Sequence, residues 1–218
     1  MELIDFAFSR FDIRSFADLG GVWRVEGGYT FHALGKHNVS HAFLVDTHPT
    51  EIVRKRAAKF PRLKLVTGDF GDEEVAREAG DVEAVFFFDV LLHQVNPDWD
   101  RILEMYARAR CFIIYNQQWT GAHTTRLLEL GEDEYFRNVP HDRTVAPYNE
   151  LFKKLDEKHP EHDRKWRDVH HIWQWGITDK DLRSKVESLG FREQYMKNFG
   201  AFGNLKNFEN HGFVFSSD

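Results

Sequence analysis

Four short apolar runs in this chain each carry an acid at or just beyond their carboxyl end, and those ends hold the side chains that could do chemistry. Asp18-Leu-Gly20-Gly21 closes the first run, and Asp46, Thr47 and His48 close the second. Gly68-Asp69-Phe70 follows the third, and Asp89-Val90-Leu-Leu-His93 follows the fourth. Glycines let backbone approach a ligand closely, and a carboxylate about 20 residues beyond them can accept hydrogen bonds from ribose hydroxyls. A site lined by carboxylates and poor in basic groups does not suit a pyrophosphate, which seeks a helix N-terminus with Arg or Lys nearby. It suits a ligand carrying ribose, an exocyclic amine and a cationic end. His93 adds an imidazole that titrates at about pH 6.5 when unperturbed, a candidate base.

The elements that must hold these residues are legible as alternating patterns. Ser15–Ala17, Ala42–Val45, Leu63–Val66, Ala84–Phe88 and Cys111–Tyr115 read as continuous apolar strands. Strands of this kind alternating with amphipathic helices predict a parallel sheet covered on both faces. Thr50 caps a predicted helix to Phe60, Pro97-Asp98 starts another over Trp99–Arg108, and Tyr29-Thr30-Phe31 begins a third. Residues 120 to about 176 are polar and rich in His and Trp, and they read as a helical insertion with helices at Leu127–Phe136 and Asn149–Lys158. Thr178 then caps a helix through Leu189 that Gly190 ends, and Arg192–Lys197 and Gly212–Ser216 supply an antiparallel final pair across a link at Gly200–Asn210. The expected fold is α/β: a Rossmann-like, doubly wound, seven-stranded and mostly parallel sheet, with an antiparallel last strand and a helical lid inserted at about 120–176.

Length and charge narrow the function. With 218 residues and 42% hydrophobic composition, the chain supports one domain over 1–218 rather than two. Its net charge of -6, with Lys and Arg scattered, disfavours a nucleic-acid partner. The start lacks a secretion signal and no run is long enough to cross a bilayer, so we expect a soluble cytoplasmic protein with no membrane partner. Cys111 reads as a buried core thiol.

The four strand ends together resemble the class I S-adenosylmethionine-dependent methyltransferases, over roughly residues 15–119 and 178–217. The resemblance implies a cofactor, S-adenosyl-L-methionine, and a small-molecule methyl acceptor. It places Asp18, Gly20 and Gly21 under the methionine part, Asp46 with Thr47 at the ribose, and Asp69-Phe70 at the adenine. Asp89 and Val90, in an Asp-x-Leu-x-His loop, come beside the reacting sulfonium. One departure is plain: Val22 and Arg24 stand where the family's second and third loop glycines would be, and Gly27-Gly28 come only after Val22–Glu26. The loop is therefore expected to turn through a small projection, from which Trp23 and Arg24 could reach a substrate or a neighbouring subunit.

Competing readings exist for each residue. Asp46 and Asp69 could be helix N-caps. His93 and His170 are the candidate catalytic bases; a backbone-bonded helix start is the alternative for His93, and a packed aromatic hinge with His171, Trp173 and Trp175 for His170. The 12 histidines do not form a metal set by spacing, and no metal is expected. Asn116-Gln-Gln118 could fix a polar substrate or satisfy loop backbone. Two other functions remain open at this level: a nicotinamide-dependent oxidoreductase, and a regulatory protein that binds S-adenosylmethionine without turnover.

Overall fold

The computed structural model describes residues 1–217. Its element order is α1 (Glu2–Arg10), β1 (Ser15–Leu19), α2 (Gly28–Lys36), β2 (His41–Asp46), α3 (Glu51–Ala57), β3 (Leu63–Thr67), α4 (Glu73–Ala79), β4 (Ala84–Phe88), α5 (Trp99–Met105) and β5 (Cys111–Trp119). Then come β6 (Thr125–Arg126), α6 (Glu132–Asn138), α7 (Tyr148–Leu151), β7 (Trp175–Gly176), α8 (Asp179–Ser188), β8 (Arg192–Ala201) and β9 (Phe208–Ser216). Seven strands form one sheet in the order β3-β2-β1-β4-β5-β9-β8, and β9 runs antiparallel to both neighbours. The expected sheet and its antiparallel final pair are present.

The apolar runs form strands because both of their faces are covered. Successive side chains point to opposite faces of a strand, so a run such as Phe86-Phe87 feeds two cores at once. Phe16 and Phe86 stack at 4.6 Å on the face covered by α1 and α2, whereas Phe87 meets Phe112 at 5.3 Å on the face covered by α4, α5 and α8. Cys111 is buried on the first face, as expected. Local signals set the helix starts: the Thr50 hydroxyl accepts from Val53 N, and that of Thr178 from Asp181 N.

Several boundaries differ from expectation: β8 runs on to Ala201 and β9 begins at Phe208, which shortens the link to residues 202–207. β5 continues four residues past Tyr115, because Asn116–Trp119 pair with Phe208–His211 of β9. The expected helix at Leu127–Phe136 is a 3-10 turn over Leu127–Leu130 followed by α6, broken at Gly131 with φ +88. The helix expected at Asn149–Lys158 is the single turn α7, and β6 and β7 make a two-stranded ribbon that the sequence does not announce. α1 was not foreseen at all. The segment between β5 and α8 has its own apolar centre, in which Leu127, Tyr135, Leu151, Ile172 and Trp173 pack against Leu92 and Phe208.

The order of strands reverses between β1 and β4, which pair with each other. In an open α/β sheet a ligand crevice lies beyond the carboxyl ends at such a switch point. The loops after β1 and β4 flank it here.

Candidate functional site

Three of the predicted residues meet directly at the switch point. Gly20 has φ +69 and donates its N–H to Val45 O at 2.8 Å. A Cβ on Gly20 would lie 2.7 Å from Val90 Cγ1 and 3.6 Å from the Phe70 ring, so only glycine lets the loops after β1, β3 and β4 close on one another. Asp18 lies beneath this turn rather than in open solvent. It is fully buried, accepts from the Thr30 hydroxyl at 2.5 Å, and its Oδ1 has no hydrogen-bond partner among the described residues. A Cβ on Gly21 would come within 2.7 Å of all three carboxyl atoms. Burial, with a smaller contribution from Asp46, pushes the Asp18 carboxyl up to about 7.

The irregular loop is explained by what Val22 does. Its side chain is buried against Leu44 and Val53, and its N–H donates to Asp46 Oδ2 at 3.1 Å. The other oxygen of Asp46 accepts from His48 N at 2.9 Å. An apolar plug therefore replaces a glycine, and the loop turns back through Arg24 and Glu26, both at positive φ. Its far end is pinned by a hydrogen bond from the Thr50 hydroxyl to Glu26 and by Arg56 donating to Glu26 O. The expected projection is present: Trp23 is 70% exposed, with the Arg24 guanidinium 4.3 Å from its ring centroid. Thr47 is exposed beside His48, whose Nδ1 lies 2.9 Å from its hydroxyl.

Asp69 is shared with the segment between β5 and α8. Its Oδ1 accepts from Gly71 N at 2.8 Å, while Oδ2 lies 3.1 Å from Arg164 Nη2 and 3.5 Å from His170 Nδ1. Arg164 Nη1 also donates to Val95 O at 3.1 Å, and His170 Nε2 is 2.7 Å from the same oxygen. His170 is thus held on the β3 and β4 loops at the Asp69 end. Phe70 is buried, and its carbonyl accepts from the Tyr106 hydroxyl. Arg164 was not singled out in the sequence, where an ion pair between such distant positions leaves no signal.

At the end of β4, Asp89 takes φ +56 and donates its N–H to Tyr115 O at 2.8 Å. Its Oδ1 accepts from Gln117 Nε2 at 2.6 Å, and burial pushes the carboxyl up to about 6. Gln117 thereby acquires a role inside β5 that its loop-like sequence context concealed. His93 ends a 3-10 turn, and its Nδ1 lies 2.8 Å from Ile172 O. That bond commits Nδ1 as donor and leaves Nε2 as the acceptor nitrogen. Burial pushes the His93 imidazole down to about 4, so it is neutral at neutral pH.

Beside Asp89 lies a cavity of 210 Å³ lined by Met1, Glu2, Leu3, Tyr29, Phe88, Tyr115 and Phe199. Tyr29 packs edge-on to Phe88 at 4.5 Å, and Tyr115 edge-on to Phe199 at 5.6 Å. Burial raises both tyrosine hydroxyls above their ordinary range, Tyr115 to about 12, and the charge of Asp89 adds to the shift. The wall comes from α1, α2, β4, β5 and β8; Asp89, His93 and His170 do not line it. Tyr29 was legible only as a helix start, and nothing in the sequence pairs it with Phe199.

No protein-family model and no curated protein sequence matches the chain. Its fold is shared with solved structures. One is Burkholderia thailandensis 1,6-didemethyltoxoflavin-N1-methyltransferase with 1,6-didemethyltoxoflavin and S-adenosylhomocysteine bound (10% identity, TM-score 0.59, 100% of this chain and 77% of that one). Another is the N-terminal domain of EvdMO1 with SAH and D-fucose (14% identity, TM-score 0.57, 100% and 84%). A third is the [4+2]-cyclase SpnF (8% identity, TM-score 0.59, 99% and 79%). The fold of the chain is therefore that of the Rossmann-like methyltransferases, and it carries more than one chemistry. No helix among the described residues is long and apolar enough to cross a membrane.

Proposed function

We propose that this chain binds S-adenosyl-L-methionine at the β1–β4 switch point and transfers its methyl group to a small-molecule acceptor. The observation that carries this reading is the closure of Gly20 on Phe70 and Val90 between Asp46 and Asp89, with an aromatic cavity opening beside Asp89. The residues fit the cofactor in chemistry. Each oxygen of Asp46 accepts one backbone N–H and retains lone-pair capacity for a ribose hydroxyl. Phe70 and Val90 offer apolar surface to a base, and Asp18 Oδ1, unpartnered among the described residues, leaves a polar atom beneath the loop open to a hydrogen bond. Asp69 would address the adenine amine while sharing its second oxygen with Arg164.

When bound, the cofactor supplies an electrophilic methyl group on a sulfonium. The chain's own part is to exclude water, align the acceptor and take a proton where the acceptor must lose one. A 210 Å³ cavity with four aromatic rings, two tyrosine hydroxyls and Glu2 suits a small aromatic acceptor with polar substituents. Three groups can take a proton. Asp89, at about 6, lies nearer to an operating pH of about 7 than His93, at about 4, and it adjoins the cavity wall at Phe88. Asp89 therefore joins His93 as a candidate base. His93 and His170 stay candidate bases, and they also contact Ile172 O and the Asp69–Arg164 pair.

A second reading, binding without turnover, draws on the Val22 plug and on the occupation of Asp69 by Arg164. Calorimetric titration with S-adenosylhomocysteine and with NAD, followed by methyl transfer from labelled S-adenosylmethionine across a panel of small acceptors, tests all readings. Binding of NAD alone would sink the methyltransferase proposal. Binding of S-adenosylhomocysteine with no transfer to any acceptor would favour the second reading.

A further inference from the structure

We propose that Asp5, His32 and His37 form a binding site for a divalent transition metal of the zinc class, away from the switch point and independent of the activity proposed above. Asp5 comes from α1, His32 from α2, and His37 from the residue that caps α2. His32 Nε2 lies 2.7 Å and His37 Nε2 2.9 Å from the same oxygen, Asp5 Oδ1, and the three ligand atoms fall within 4.8 Å of one another. Two imidazole nitrogens and one carboxylate oxygen are the donors of Zn²⁺, Co²⁺ or Ni²⁺, whereas Mg²⁺ and Ca²⁺ take oxygen ligands. Tetrahedral zinc with bonds of about 2.0–2.2 Å spaces its ligand atoms about 3.3 Å apart. Each histidine nitrogen would move about half an ångström from Asp5 Oδ1 to admit the ion.

Without an ion the two imidazoles bond to one carboxylate oxygen, and the same convergence presents three ligand atoms to a metal. Lys36 Nζ already meets the other oxygen of Asp5 at 2.7 Å, so the carboxylate has its counter-charge before either imidazole arrives. Both rings nonetheless converge on Oδ1. The histidines are held in place: the His37 ring stacks on Phe8 at 4.7 Å and its backbone N–H donates to Ala33 O, while His32 sits within α2. With metal at Oδ1, the Lys36 bond to Oδ2 is retained as the outer partner that orients a ligating carboxylate. The three side chains keep 14–28% exposure, enough for an ion to enter and for water to complete its shell. An ion here ties α1 to α2, and those helices carry Leu3 and Tyr29 to the cavity wall.

The test uses the full chain, free of affinity tags and stripped with chelator, titrated with Co²⁺. The proposal expects one equivalent to give visible ligand-field absorption that Zn²⁺ displaces and Mg²⁺ does not, with a rise in Tm. His32→Gln and His37→Gln should each weaken binding about 100-fold or more, since loss of an outer partner alone costs about 10–100-fold. Substitution of His159 and His171 by Gln should change nothing. No band and no Tm shift in the wild type overturns the site, as does unchanged affinity in the double variant His32→Gln/His37→Gln. Should a variant fail to fold, histidine NMR of the wild type with Zn²⁺ decides: shifts confined to His32 and His37 support the site, and shifts at other histidines overturn it.

Discussion

Arg164 Nη2 lies 3.1 Å from Asp69 Oδ2, joining the segment between β5 and α8 to the loop after β3 across 95 positions of sequence. The same guanidinium holds Val95 O, so one side chain ties that segment to two strand-end loops. The pair is partly exposed, with side-chain exposures of 31% and 18%, and screening keeps its worth to about 1 kcal/mol. Arg164→Ala should lower Tm by about 2–4 °C, the scale for that loss in a domain of this size. It should also speed proteolytic cutting between residues 139 and 171 ahead of the sheet. Equal protection of that segment in wild type and variant would deny Arg164 this fastening role.

Asp46 is the firmest candidate for the cofactor because its carboxylate is already oriented by two backbone donors, Val22 N and His48 N. Hydrogen bonds to a charged group contribute about 1.5–3 kcal/mol each. Asp46→Ala should therefore weaken S-adenosylhomocysteine about 10- to 100-fold in calorimetry, and Asp46→Asn should weaken it less. Unaltered affinity in Asp46→Ala would place the ribose elsewhere.

The strand ends were legible because buried parallel strands read as unbroken apolar runs, and the acids that follow them mark the crest of the sheet. Thr50 and Thr178 were legible as caps because a cap is local chemistry. Asn116–Trp119 were not read as strand, since their amides resemble loop composition and only pairing with His211–Phe208 makes them β5. The Arg164–Asp69 pair and the Tyr29–Phe199 cavity arise from tertiary packing, which no local pattern encodes. Val22 looked like a flaw in a glycine loop until its packing against Leu44 and Val53 gave it a role.

Asp18 carries a pH signature. Its folded-state value of about 7 exceeds the ordinary 3.8, so between these values the native chain holds a proton that the unfolded chain has lost. Stability must then fall as pH rises from about 4 to 7, by up to about 4 kcal/mol from this group. Asp89, pushed up to about 6, acts in the same sense, whereas His93, pushed down to about 4, lowers stability as pH falls below 6.5. Asp18→Asn isolates the first effect. Its urea midpoint relative to wild type should rise from pH 5 to about pH 7 and level off above it; parallel curves would mean that Asp18 is ionised in the native state.

The cavity wall can be altered in both directions without touching the switch point. Phe199 is 39% exposed, so Phe199→Ala should cost little stability while removing one face of the cavity. Gly212 backs the same wall: a Cβ there would lie 2.7 Å from Leu3 Cδ1 and 2.8 Å from Phe199 Cε2, pressing both side chains inward. If this cavity receives the acceptor, Phe199→Ala should raise KM for a small acceptor about tenfold, the scale for one lost apolar contact. Gly212→Ala should discriminate against bulkier acceptors and spare the smallest. Affinity for S-adenosylhomocysteine should stay within about threefold of wild type in both, because neither residue adjoins Asp46 or Gly20. Loss of cofactor affinity in step with turnover, or no change in acceptor preference in either variant, would remove the acceptor from this cavity.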